Sequence, residues 1–116
     1  MKMKHIIPLF LTILLFSAAS NLQKGTASFY SKKFDGRKTS SGVVLWNDSL
    51  YAAHKTLPFG SMVRVVNLKN DSVVYVKIVD RMPQRSSRII DLTQSAAKQL
   101  NFINAGLTTV TLEVIE

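Results

Sequence analysis

Seven carboxylates and two histidines are the side chains in this 116-residue, cysteine-free chain best suited to proton transfer near neutral pH. Most have a ready structural reading. Asp71 falls in the turn pair Asn70-Asp71, Glu113 points away from the apolar side of a strand pattern, Glu116 is terminal, and Asp35 and Asp48 lie in polar loops. Asp80 differs. It follows directly on the β-branched run "SVVYVKIV" and precedes Arg81, Arg85 and Arg88. A carboxylate at the end of an apolar strand is half buried and held in one place, which suits protonating a leaving oxygen and taking a proton back. The competing reading is a turn carboxylate paired with an arginine, since structural ion pairs perturb carboxylates too. Asp91 has its own structural alternative: it precedes a helix and would favour the positive end of it. His54 is the only histidine beyond His5. A lone histidine packs more often than it catalyses, and one histidine without cysteine argues against zinc. The chain holds no Ser-His-Asp signature, no phosphate-binding glycine loop and no nucleic-acid motif, so no cofactor, metal or nucleic-acid partner is expected.

The elements that must carry these residues are short. "TASFY" (26–30) alternates like a strand, and "SKKFDGRKTSSG" (31–42) is a polar, turn-rich loop. "YAAHKTLPFG" (51–60) mixes small, apolar and turn residues, with Pro58 and Gly60 breaking any regular element. "SMVRVVNL" (61–68) and "SVVYVKIV" (72–79) form the arms of a hairpin about Asn70-Asp71. "LTQSAAKQL" (92–100) is the one helix, with Thr93 placed to cap it, and "LTTVTLEVI" (107–115) is a final strand. Several short strands and one short helix suit a small closed barrel, which also removes exposed edges. Tyr30, Trp46, Tyr51 and Phe59 could line a sugar cleft or belong to the core.

Residues 1–20 stand apart. Lys2 and Lys4, the apolar run 6–16 and the small residues Ser17–Ser20 follow the plan of a cleaved secretory signal. The run is shorter than the roughly 20 apolar residues that span a bilayer. No cysteine follows it to carry a lipid. The expectation is an exported protein of the periplasm, extracellular space or cell wall, with one domain over 21–116 and no membrane span after cleavage. Removing Lys2 and Lys4 takes the formal charge from +8 to +6. A basic exported domain favours polyanionic partners, among them wall polymer.

Three segments carry a resemblance: "GTASFYSKKFDGRKTSSG", "AAHKTLPFGSMVRVVNLKN" and "VDRMPQRSSRIIDLTQSAAKQL". Together they resemble the rare lipoprotein A family of septal-ring lytic transglycosylases over nearly all of residues 21–116. The resemblance implies a mainly β protein, a six-stranded double-psi β-barrel with one or two short helices. It implies a monomeric lyase that cuts peptidoglycan glycan strands internally, prefers strands stripped of peptide, and leaves 1,6-anhydro-muramyl ends. It puts the general acid/base on Asp80 and keeps His54 in the cleft as the second catalytic residue, orienting Asp80 or the sugar. It assigns substrate binding to Arg37 and Thr39 of the Gly-Arg-x-Thr loop, to Tyr30, to Arg81 of the Asp-Arg-x-Pro segment, and to Asp91 of the Ile-Asp-Leu segment.

The chain departs from the family pattern in three places. Val43 and Trp46 stand where the family has a glutamate and an aspartate, and Met82 stands for a glycine. A lytic transglycosylase can work with one protein carboxylate because its nucleophile belongs to the substrate. The alternative expectation is an expansin-like, non-catalytic module that binds or loosens wall glycan after losing the second carboxylate.

Overall fold

The computed structural model describes residues 22–116, so the expected leader at 1–20 lies outside the described residues. Six strands close into a barrel in the order β1-β5-β2-β4-β3-β6. They are β1 (Leu22–Phe29), β2 (Tyr51–His54), β3 (Met62–Asn67), β4 (Val73–Arg81), β5 (Ile90–Leu92) and β6 (Thr108–Val114). One α-helix, α1 (Gln94–Gln99), and one 3₁₀ turn (Lys32–Phe34) complete the described secondary structure. Two strand pairs are parallel, β1 with β5 and β2 with β4; the other pairings are antiparallel. Parallel neighbours cannot be joined by tight hairpins, so the connections cross the barrel and bring distant segments together.

The β3–β4 hairpin forms as its alternation requires. Val63, Val65, Val74, Val76 and Ile78 point into the core, and Arg64, Tyr75 and Lys77 point outward. Asp71 makes the turn in the left-handed region, at φ 61°. Val110 and Leu112 of β6 join the same core, which Ile90, Leu92 and Phe102 fill from the far side. α1 buries Ala96 and Ala97, and Phe102 beyond it meets Phe29 edge-on at 5.6 Å.

The start of α1 differs from expectation. Thr93 makes no cap; its hydroxyl donates instead to the Ser49 carbonyl. The orphan N–H of Gln94 is taken by the side chain of Asn47, 2.9 Å away, and Ser95 N–H donates to the Asn47 carbonyl. A loop residue far away in sequence therefore does what a local cap would do. Asp91 does not serve the helix either. It sits within β5, where its carboxylate accepts from Ser28 Oγ and pairs with Arg88 at 3.0 Å.

One irregularity decides where Asp80 goes. On β2–β4 the register runs Ala52↔Ile78 and then Ala53↔Asp80, which leaves Val79 as an extra residue. Strict alternation would send Asp80 to the same side as Ile78, into the core. The bulge breaks that alternation: Ile78 and Val79 are both buried and Asp80 emerges half buried at the barrel rim. Ser41 N–H donates to the Val79 carbonyl, so the polar loop is sewn to the strand at the bulge.

Candidate active site

Asp80 forms part of the wall of a cleft of about 200 Å³, lined also by Tyr30, Phe34, Arg37, Lys38, Thr39 and Leu45. Tyr30 comes from the position just after β1, Asp80 from the bulged end of β4, and the rest from the loop between β1 and β2. Both oxygens of the carboxylate are engaged. Tyr30 OH donates to Oδ2 at 2.6 Å, and the backbone N–H and hydroxyl of Ser40 each approach Oδ1 at 2.9 Å. The carboxylate is thereby fixed in position and orientation on the edge of a water-accessible cleft.

Its proton affinity is a balance. Burial is the largest influence and favours the protonated acid. The hydrogen bonds from Tyr30, Ser40 and the Arg81 backbone act the other way, and together they hold Asp80 below the usual carboxylate value. Tyr30 is pushed far in the opposite direction, first by burial and then by its bond to Asp80 and the nearby charges of Asp80 and Asp91. It is therefore a permanent donor. Arg81 does not turn its guanidinium on the carboxylate. That group lies over the Phe59 ring, 4.1 Å from its centre, and reaches back only to the Asp80 carbonyl at 3.4 Å.

These bonds have a measurable consequence. Because the folded value of Asp80 is lowered, its ionised form stabilises the fold above about pH 4, the ordinary carboxylate range. That contribution is lost as pH falls through the lower folded value. Tyr30→Phe removes one of the bonds that favour the charged form. The Asp80 carboxyl carbon, followed by NMR, should then titrate at higher pH than in the parent, and the acid-side loss of stability should be smaller and complete at higher pH. An unchanged midpoint would mean the Tyr30 hydroxyl does not govern this carboxylate.

The other expected site residues divide into two sets. Arg37 lines the cleft, its guanidinium 5.1 Å from the centre of the Phe34 ring, which in turn meets Tyr30 edge-on at 5.8 Å. Thr39 is buried and shapes the loop: its hydroxyl donates to the Val43 carbonyl at 2.6 Å and lies 3.0 Å from Ser41 Oγ. Asp91 sits behind the cleft, held by Ser28 and Arg88, and acts on Tyr30 through its charge. His54 is a neighbour by strand register, one residue beyond the Ala53↔Asp80 pair, but its ring is wired elsewhere. Nδ1 accepts from Thr56 N–H and Leu57 N–H, both at 3.1 Å, which leaves Nε2–H to donate to Gln23 Oε1. Burial, and then Arg81 and Lys55, lower its proton affinity, so it is neutral. Among the described residues its hydrogen bonds include none to Asp80.

Ser40 is the residue that sequence reasoning missed. Nothing in "KTSSG" separates it from Ser41; only the crossing of the loop over β4 selects it. At the two positions where the family carboxylates would stand, Val43 is 37% exposed and Trp46 51% exposed. Asp48 lines a different depression, with Trp46, and not the Asp80 cleft. Among the described residues no three His, Cys, Asp or Glu side chains group closely enough to hold a metal ion.

Comparison with known proteins extends this picture. The family model described as lytic transglycolase matches residues 22–112. The chain is 49% identical over 100 residues to the endolytic peptidoglycan transglycosylase RlpA of Pasteurella multocida, covering 85% of this chain and 34% of that protein. It is 46% identical over 98 residues to the Haemophilus influenzae protein of the same name, covering 84% of this chain and 34% of that one. The chain thus spans about a third of the length of these relatives. Among solved structures, the Clavibacter michiganensis expansin superposes with a TM-score of 0.67 at 20% identity, over 82% of this chain and 50% of that one. The Streptomyces papain inhibitor does so with a TM-score of 0.66 at 21% identity, over 82% and 94%. At such identities the likeness is one of fold.

Proposed function

The chain belongs to the lytic transglycolase family of double-psi β-barrels, and from that premise we propose that it cleaves peptidoglycan glycan strands internally, with Asp80 as general acid and then general base. The observation that carries this reading is the Asp80 carboxylate, clamped by Tyr30 and Ser40 at the side of an open cleft. The chemistry needs a single protein carboxyl. Asp80, protonated, gives its proton to the glycosidic oxygen as the C1–O bond breaks. The C6 hydroxyl of the same muramyl ring bonds to C1, and its proton passes to the Asp80 carboxylate. The products are a new 4-hydroxyl end and a 1,6-anhydro end, with no water consumed.

In the free protein Asp80 is held in its charged form, so the acid step requires the proton to be favoured once glycan is seated. Burial is already the largest influence on this group and acts in that direction. A strand lying over the cleft expels water and adds to it. Tyr30 then holds the carboxyl at a fixed angle in both protonation states. Arg37 and Lys38, at the cleft mouth, supply donors for sugar oxygens. His54 supports the site indirectly, by fastening the turn after β2. The protein acts as a monomer on this reading.

The test is to incubate the protein with peptide-free glycan strands and analyse the products by mass. Anhydro ends support the proposal. Reducing ends formed with uptake of water would make it a hydrolase. Binding without cleavage would favour the expansin-like reading, for which the replacement of two family carboxylates by Val43 and Trp46 is the motivating observation.

We also propose that residues 1–20 are an export signal removed on the way to the wall. The mature amino terminus, sequenced from a secreting host, should be Ser20 or Asn21. Recovery of the exported protein with residues 1–19 attached would overturn this.

A further inference from the structure

A second depression of about 310 Å³ lies on the other side of the β1–β2 loop from the Asp80 cleft. Its lining includes Trp46, Lys32, Asp35, Asp48, Gln94 and Lys98. Trp46 is the only tryptophan in the chain and is half exposed. A large apolar ring left in water is ordinarily either tucked away or carried on mobile chain. Here the backbone on both sides of it is locked. Leu45 is buried, and it exchanges two 2.8 Å hydrogen bonds with the opposing segment, one to the Arg37 carbonyl and one from Gly36 N–H. Asn47 is buried on the other side, bound to Asp35 and to the start of α1. Gly36 lies beside the ring: a Cβ there would come within 3.6 Å of its Cη2, in ordinary contact. The ring is thus carried on locked backbone and faces solvent.

We infer that this depression is a sugar subsite, separate from the Asp80 cleft, that takes a neutral hexopyranose such as N-acetylglucosamine, stacked on Trp46. An exposed aromatic face accepts the C–H face of a pyranose. The surrounding ammonium, carboxylate and amide groups present both donors and acceptors to its hydroxyls. The size, at the lower end of the roughly 300–1,000 Å³ of ligand pockets, suits one or two rings. Lys32 and Lys98 are matched in number by Asp35 and Asp48, so the site has no excess charge to favour a polyanion. The two depressions share walls. Phe34 and Leu45 face Asp80 while Asp35 and Trp46 face the second site, and Gln94 of the second site donates to the carbonyl of Tyr30 of the first. A strand crossing the Asp80 cleft could therefore seat a ring on Trp46 further along. The class of ligand rests on the proposed action on wall glycan, but the subsite does not depend on Asp80 chemistry.

The lone tryptophan reports on its own site. Adding the tetramer of N-acetylglucosamine should shift Trp46 emission to the blue in a saturable way, equally at low and high salt and equally in Asp80→Asn. By calorimetry, Trp46→Ala should weaken tetramer binding by about tenfold, a stacking contribution on the order of 1.4 kcal/mol, and Trp46→Phe should restore most of it. The inference is overturned if the tetramer does not bind, if it binds without changing Trp46 emission, or if Trp46→Ala binds like the parent. A silent Trp46 in a protein that still forms anhydro ends would remove the subsite alone. A responsive Trp46 in a protein that cleaves nothing would keep the subsite and remove the acid–base reading.

Discussion

Asp80→Asn should fold, bind glycan and lose turnover by at least on the order of a hundredfold, because general acid–base catalysis contributes about 10²–10⁴ in rate. The amide is nearly the same shape as the carboxyl. Its oxygen can accept from Tyr30 or Ser40 as the carboxylate oxygens do, so the bulged end of β4 should keep its place. The amide has no acidic proton to give and no basic site to receive one from the C6 hydroxyl. Anhydro ends formed by the parent should therefore vanish in the variant, while binding measured on uncleaved strands persists. Asp91→Asn makes the contrast. That carboxylate is engaged by Ser28 and Arg88 behind the cleft, so its loss should lower turnover far less. Retention of most of the anhydro product in Asp80→Asn would show that the proton comes from elsewhere.

The second large effect should come from Asn47, whose hydrogen bonds include none to Asp80. Its amide donates to the Ser31 carbonyl and to Asp35, and its oxygen accepts from Gln94 N–H. Asn47→Ala removes all three bonds; Asp35 keeps the backbone N–H of residue 47 and, like Ser31, lies exposed, so the Gln94 N–H at the start of α1 is the group left least served. An unmet buried group costs about 1–3 kcal/mol, less where water can enter, so the loss should be about 1–2 kcal/mol. At roughly 4–8 °C per kcal/mol for a domain of this size, thermal unfolding should move down by about 5–10 °C. Activity should fall as well below the melting range. The same network positions Gln94, whose side chain donates to the carbonyl of Tyr30, and Tyr30 holds Asp80. A melting temperature within a few degrees of the parent would mean that the loop and α1 hold each other by packing alone.

Part of the fold is legible in the residues alone. The β3–β4 hairpin and β6 can be read from alternation, because one face of each meets a core and the other meets water. The helix over residues 92–100 is readable too, although it is shorter, Gln94–Gln99. β2 and β5 are not readable from pattern. They are four and three residues long, and Ala52 and Ala53 are too small to give a period. They exist as strands only because their neighbours in the barrel present partners for their backbone groups. Apart from the family resemblance, the residues support only several strands and a small closed barrel.

The amino-acid sequence by itself determined the chemistry available: a single carboxylate at the end of an apolar strand, no cysteine, one histidine beyond His5, and a basic surface. It also determined the family, because the segments around Thr39, His54 and Asp80 are specific in combination. What the tertiary structure decided is which groups act on which. It brought Tyr30 and Ser40 to Asp80 across 50 and 40 residues, set the bulge that keeps Asp80 out of the core, and turned Arg81 onto Phe59. It assigned the helix cap to Asn47 in place of Thr93 and left His54 bound to Gln23. The reason is physical. Alternation and residue type act over a few neighbours along the chain, whereas a carboxylate's proton affinity depends on donors within about 3 Å in space. In a barrel with parallel pairings, those donors arrive from segments far away in sequence.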